Sequence, residues 1–170
     1  MLNKKIEDIC NRQVEREGYS SELYLAMASW AETNGLSGVA NWMYTQSDEE
    51  RIHMLKFIKY INERGGKAVI PALKKPPVDF KNAEEAFKEV LKHEEFVTAS
   101  INEIVALTLE EKDFNTQNFL QWFVMEQVEE EASARMILDK LRLVGKNNMY
   151  EFDRDIVSLR KPAANAKATR

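Results

Sequence analysis

The sequence predicts an all-α chain, in which four long helices pack as one bundle and a short fifth helix follows them. Three observations predict it. Apolar residues recur at alternating three- and four-residue spacing through four long segments, the period of a helix buried along one face. The 170 residues hold only 6 Gly and 4 Pro, too few for the closely spaced turns of an all-β chain. Apart from Gly18, those residues fall between the periodic segments or beyond them.

The first helix is expected from about Lys4 to Asn34, with the stripe Ile6, Cys10, Gln13, Glu17, Ser20, Tyr24, Ala28 and Ala31. Asn34, Gly35, Leu36, Ser37 and Gly38 break it, and Ser37 is the expected N-cap of the second helix. The second stripe reads Val39, Met43, Gln46, Glu50, His53, Phe57 and Ile61, and that helix runs to about Arg64, stopping at Gly65 and Gly66. An irregular stretch with Pro71, Pro76 and Pro77 fills residues 65–81. Asn82 is the expected cap of a third helix reaching Glu111, with the stripe Phe87, Val90, Glu94, Val97, Ile101 and Ile104. Asp113 opens the fourth, which ends at Gly145 and carries Leu120, Phe123, Gln127, Glu130, Ala134, Ile137 and Leu141. Met149, Phe152, Ile156 and Leu159 mark the short fifth helix, within Asn148 to Arg160. The domain is therefore placed at 1–160. Residues 161–170 offer nothing to bury and are expected to fray.

Connection lengths set the topology. Helices one and two, and likewise three and four, are joined by a few residues, so each pair must be antiparallel. The stretch 65–81 could extend ~56 Å at ~3.3 Å per residue. A helix of ~28 residues is only ~42 Å long. That stretch can therefore run the length of the bundle and start helix three parallel to helix two.

Charge and cysteine usage remove several function classes. With 24 Lys+Arg against 28 Asp+Glu the net charge is -4, which leaves no basic surplus for nucleic acid. One cysteine, Cys10, excludes an internal disulfide framework and a cysteine-based zinc site, and reads as a small core residue. No segment approaches the ~18 apolar residues of a membrane span, and the N-terminus lacks the apolar run of a leader. A cytoplasmic setting is the expectation. Any metal chemistry must rest on carboxylate oxygen, because only 2 His are present.

The informative feature is where the apolar stripes are interrupted. Glu17, Glu50, His53, Glu94, Gln127 and Glu130 all fall near the middle of their helices, which places them in one layer less than ~10 Å thick. Four buried carboxylates need a counter-charge, since an uncompensated buried ion costs several kcal/mol. The stripes supply no Lys or Arg at that depth. Two divalent cations would balance the charge, and oxygen donors with one imidazole suit Fe(II), Mn(II) or Zn(II). Glu50 and His53, three residues apart, face the same way on one helix. His93 lies one residue off the stripe and is expected in solvent. Trp30, Trp42, Trp122, Met27 and Met43 are read as core or subunit-contact packing.

On these residues the chain resembles the prokaryotic non-haem ferritins, within the ferritin-like di-iron carboxylate group. The resemblance covers the helices, the crossover and the short fifth helix. It implies that Glu17, Glu50, His53, Glu94, Gln127 and Glu130 are the ligands of a ferroxidase centre holding two irons. Glu50 and Glu94 would bridge or flank the pair, Glu17 and His53 would complete one iron, and Glu130 with Gln127 alongside would serve the other. Gln127-x-x-Glu130 departs from the general pattern of a second Glu-x-x-His, and this implies a weaker second site that passes iron onward. Glu49, Glu126 and Glu129 adjoin the layer and resemble, with Glu130, a third iron site toward the cavity. Tyr24, seven residues from Glu17, resembles the family's tyrosine near the iron pair. Position 52 is Ile where bacterioferritins place a haem-ligating Met, so no haem is expected.

The implied function is iron storage: Fe(II) is oxidised by O2 or H2O2, and Fe(III) mineral collects inside a hollow homo-oligomer of 24 subunits. Acidic side chains would line its channels, and neither nucleic acid nor a membrane is an expected partner. Two rivals compete with it. A di-metal enzyme acting on an organic substrate would need a pocket-forming lid or second domain, and none is legible. A metal-free bundle would be stabilised by apolar replacements in the layer. For the shell, a 12-subunit mini-ferritin is the rival, although those place iron between subunits and lack a C-terminal fifth helix.

Overall fold

The computed structural model describes residues 2–159, so the expected tail and Arg160 lie outside the described part. Four long helices form the bundle: α1 (Lys4–Thr33), α2 (Ser37–Glu63), α3 (Ala83–Glu110) and α4 (Phe114–Val144). A 3-10 turn at Lys146–Asn148 leads to α5 (Met149–Asp155), and a second 3-10 turn covers Ile156–Leu159. No strand occurs among the described residues. Every residue of the four sequence stripes is buried. The helical period alone was enough to select the inward face of each helix.

Local chemistry explains where the helices begin. The side chain of Asn3 accepts a hydrogen bond from the Lys5 amide, Asn82 accepts from Glu85, and Asp113 accepts from Thr116. Each satisfies an amide that would otherwise lack a partner in the first turn. Ser37 does not do this for α2, contrary to the sequence expectation; it is the first residue of that helix. The Asp153 carboxylate caps it instead, accepting from the Gly38 amide at 3.0 Å and the Val39 amide at 2.9 Å. The fifth helix is thus docked by a capping contact from more than 100 residues away in sequence. Gly38 is required for this approach, because a Cβ there would stand 1.7 Å from the Asp153 carbonyl oxygen. Phe152 and Ile156 bury the apolar face of this segment, as the stripe predicted.

The connection between α2 and α3 spans 64–82 and tracks along α1. The Val69 amide donates to Asn11 Oδ1, Leu73 packs on Gly18, and the Phe80 ring meets Trp30 edge-on. The chain thereby returns along the bundle, and α3 starts parallel to α2. At the far end, Arg64 binds Asp113 at 3.2 Å and Tyr60 donates to Thr116 at 2.8 Å, which ties the end of α2 to the start of α4.

The core is divided. One apolar cluster, including Met27, Trp42, Phe87, Ile137 and Phe152, fills the end nearest α5. The other, including Ile6, Phe57, Ile101, Leu120 and Phe123, fills the opposite end. Glu17, Glu50, His53, Glu94, Gln127 and Glu130 are all buried and belong to neither cluster. They form the polar layer between two apolar ends.

Candidate metal centre

Each long helix delivers its polar residues to the layer by helical period. Glu17 comes from α1, Glu50 and His53 from α2, Glu94 from α3, and Gln127 and Glu130 from α4. Among the described residues, Glu17, Glu50 and His53 form a cluster whose donor atoms lie within 4.8 Å of one another. His53 Nδ1 is 3.6 Å from Glu50 Oε2 and 3.9 Å from Glu17 Oε2. These separations exceed a hydrogen bond and leave space for a cation between the donors. Glu17 Oε2 is buried and has no hydrogen-bond partner. An orphaned buried oxygen of this kind costs about 1–3 kcal/mol unless something binds it. The donor set therefore fits a divalent ion.

Glu94, Gln127 and Glu130 are not part of that cluster, and they are held differently. Tyr24 donates its hydroxyl to Glu94 Oε1 at 2.5 Å. The Gln127 amide donates to Glu94 Oε2 at 3.2 Å, with further contacts at 3.3 Å to the Glu94 carbonyl and Thr98 Oγ1. The Gln46 amide donates to Glu130 Oε2 at 2.7 Å. Here protein donors already occupy both Glu94 oxygens and one Glu130 oxygen.

The electrostatics follow from burial. Desolvation, then the neighbouring Glu50 charge, raises the Glu17 carboxyl to about 8. Desolvation, then the Glu94 charge, holds Glu50 well above the usual carboxylate range. Glu94 is also raised by burial, against the opposing hydrogen bonds from Tyr24 and Gln127. The Tyr24 phenol lies well above its ordinary value, through burial and the charges of Glu94, Glu50 and Glu130. Without a cation Glu17 keeps its proton at neutral pH, and a bound cation would replace it.

The surroundings exclude water from His53. Its ring meets Trp122 edge-on at 5.2 Å and Phe123 at 5.9 Å, and the Lys56 ammonium covers the Trp122 face at 3.1 Å. Of the residues suggested for a third site, Glu49 and Glu126 are half-buried and Glu129 is exposed. Glu49 is close enough to raise Glu50, and Glu126 acts on Lys56. Cys10 sits buried in the core as expected, its thiol raised to about 12 by desolvation.

His93 differs from its expected place in solvent. It is half-buried, its Nε2 lies 2.7 Å from Ser20 Oγ, and burial lowers its imidazole to about 4. The partner sits on α1, so a reading of α3 alone had no access to it. Sequence reasoning also gave Gln13 and Gln46 stripe positions without a role. The available signal was a repeated spacing, because each Gln stands four residues before a layer Glu.

Comparison with known proteins agrees with the fold. Residues 7–144 match the family described as ferritin-like domain. The bacterial non-heme ferritin of Campylobacter jejuni is 39% identical over 161 residues, covering 94% of this chain and 96% of that protein. A probable bacterial non-heme ferritin-like protein of Haemophilus influenzae is 40% identical over 161 residues, covering 94% and 98%. Among solved structures, an open pore ferritin from Archaeoglobus fulgidus superposes with a TM-score of 0.91 at 43% identity, covering 94% of this chain and 98% of that one.

Proposed function

This chain belongs to the ferritin-like domain family, and we propose that it stores iron by oxidising Fe(II) in the polar layer and depositing Fe(III) as mineral. The observation that carries the reading is the cluster of Glu17, Glu50 and His53 around an unpartnered buried oxygen, in a layer of four carboxylates. Iron is the substrate. Glu17, Glu50 and His53 would hold the first Fe(II), while Glu94 and Glu130, with Gln127 beside them, would take the second. Glu50 and Glu94 would bridge or flank the pair, as the family resemblance implies.

Oxidation balances simply. Two Fe(II) give two electrons, either reducing O2 to hydrogen peroxide or reducing hydrogen peroxide to water. Metal charge then rises from +4 to +6 against a ligand set near -4, so water bound to iron gives up protons and ferric oxyhydroxide forms. The amide at Gln127 supplies no charge, so Fe(III) is held loosely on that side and can leave. Tyr24, hydrogen-bonded to Glu94, would steer that carboxylate. Glu49, Glu126 and Glu129, with Glu130, would form the onward site toward a cavity.

The cavity requires a shell. We propose a homo-oligomer of 24 subunits, with α5 packed at its fourfold axes, and a cytoplasmic location. No helix of the described residues is long and apolar enough to cross a membrane. The test is aerobic loading with increasing Fe(II), followed by removal of external iron. Storage predicts far more than two irons retained per chain in a particle visible by electron microscopy. Iron that never exceeds two per chain would overturn storage and favour a di-iron enzyme.

A further inference from the structure

Glu17 is the layer carboxylate with one held and one unpartnered oxygen. Its Oε1 accepts a hydrogen bond from the Gln13 amide at 2.8 Å, one turn earlier on α1. The Gln13 carbonyl oxygen in turn accepts from the Ser100 hydroxyl on α3, and Ser100 accepts from the Arg16 guanidinium. Gln13 and Ser100 are buried, while the Arg16 side chain retains 23% exposure at the bundle edge. There Arg16 sits 3.8 Å from Glu103 and covers the Phe96 ring at 5.3 Å.

The direction of this chain is fixed by chemistry. A guanidinium only donates, so Ser100 must receive from Arg16 and send its own proton onward. That proton goes to the Gln13 side-chain oxygen, and this turns the Gln13 amide nitrogen toward Glu17. A buried amide and hydroxyl cost more than apolar side chains of the same size unless they are satisfied. Here they are satisfied in sequence, and the chain ends at a carboxylate whose other oxygen faces the His53 side.

We infer that Arg16, Ser100 and Gln13 form a positioning relay that holds one oxygen of Glu17 and presents the other to a divalent cation. The inference rests on the reading of Glu17 as a ligand and specifies its mode: binding through Oε2 alone, with Oε1 retained by Gln13. The three residues touch no iron. They act through Glu17.

The experiment titrates the full-length, metal-free protein with Co2+ without oxygen, following heat and the ligand-field absorption of the bound ion. Glu17→Ala should abolish the tightest binding step. Gln13→Leu, close in size, should weaken that step by about 10- to 100-fold and change its absorption spectrum. Ser100→Ala should have the same spectral effect with a smaller loss, and Ser100→Thr, which keeps the hydroxyl, should restore both. Gln13→Leu and Ser100→Ala proteins with the parent's affinity and spectrum would overturn the relay while leaving Glu17 as a ligand. A parent whose Co2+ binding survives Glu17→Ala unchanged would overturn the ligand reading, and the relay with it.

Discussion

The two hairpins contribute unequal halves of the same layer. The α1–α2 half holds Glu17, Glu50 and His53 close together, with one carboxylate oxygen left without a partner. The α3–α4 half holds Glu94, Gln127 and Glu130, whose carboxylates already receive hydrogen bonds from Tyr24, Gln127 and Gln46. A cation entering the first half gains the Glu17 Oε2 oxygen, which no protein hydrogen bond satisfies. One entering the second must displace amide hydrogen bonds that contribute about 1 kcal/mol each, or more to a charged acceptor. On the proposed function the difference predicts an order: the first half would fill tightly and the second loosely, as a site that passes iron onward requires.

The largest expected effect separates the halves directly. His53→Ala removes the layer's only imidazole and should weaken the tightest Co2+ or anaerobic Fe(II) binding step by more than about 100-fold. Gln127→Ala should change that same step by less than about 10-fold. Calorimetric titration of both variants measures the contrast, and equal losses would break it.

The next effect is on pH. In the folded protein the Glu17 carboxyl titrates at about 8, against an ordinary value of 4.5. Between those values the unfolded chain releases the proton and the folded chain keeps it. The contribution of Glu17 to stability is thus fully present below pH 4.5 and is lost as pH rises through 8. Glu17→Gln should therefore stabilise the metal-free protein more at pH 8 than at pH 5, by a few kcal/mol. Denaturant unfolding at the two values checks this. Adding Zn2+ to the parent should produce a similar gain at pH 8, since the cation replaces the proton.

A smaller effect probes the second half. Tyr24→Phe leaves Glu94 Oε1 without the phenol that donates to it, at a cost of about 1–3 kcal/mol in the metal-free protein. The first Co2+ step should be almost unaffected and the second changed, which the same titration resolves. The smallest effect is a control outside the layer. Gly38→Ala would drive a methyl into the Asp153 carbonyl and displace α5, yet shift first-step affinity by no more than about twofold. A large change would show that α5 supports the layer.

The bundle was legible because helical period is a local signal that burial enforces everywhere. The stripes from Ile6 to Leu141 selected the buried face of each helix, and Asn82 and Asp113 announced their helices through side chains beside the turn they cap. The same locality explains what was missed. Asp153, the cap of α2, and Ser20, the partner of His93, lie on other helices, so no spacing rule connects them to their targets. Glu17, Glu50 and His53 could be grouped by depth alone. That Glu17 keeps an unpartnered oxygen, while Glu94 has Tyr24 and Gln127, depends on side-chain direction and could be read only from the structure.

The central claim is tested most directly by a crystal of the protein soaked in Fe(II) without oxygen, with occupancies refined from anomalous scattering at the iron edge. The account predicts iron between Glu17, Glu50 and His53 at the lowest loading, with a second ion beside Glu94 and Glu130 only at higher loading. Iron appearing first beside Glu94 and Glu130, or on the protein surface with none in the layer, would contradict it.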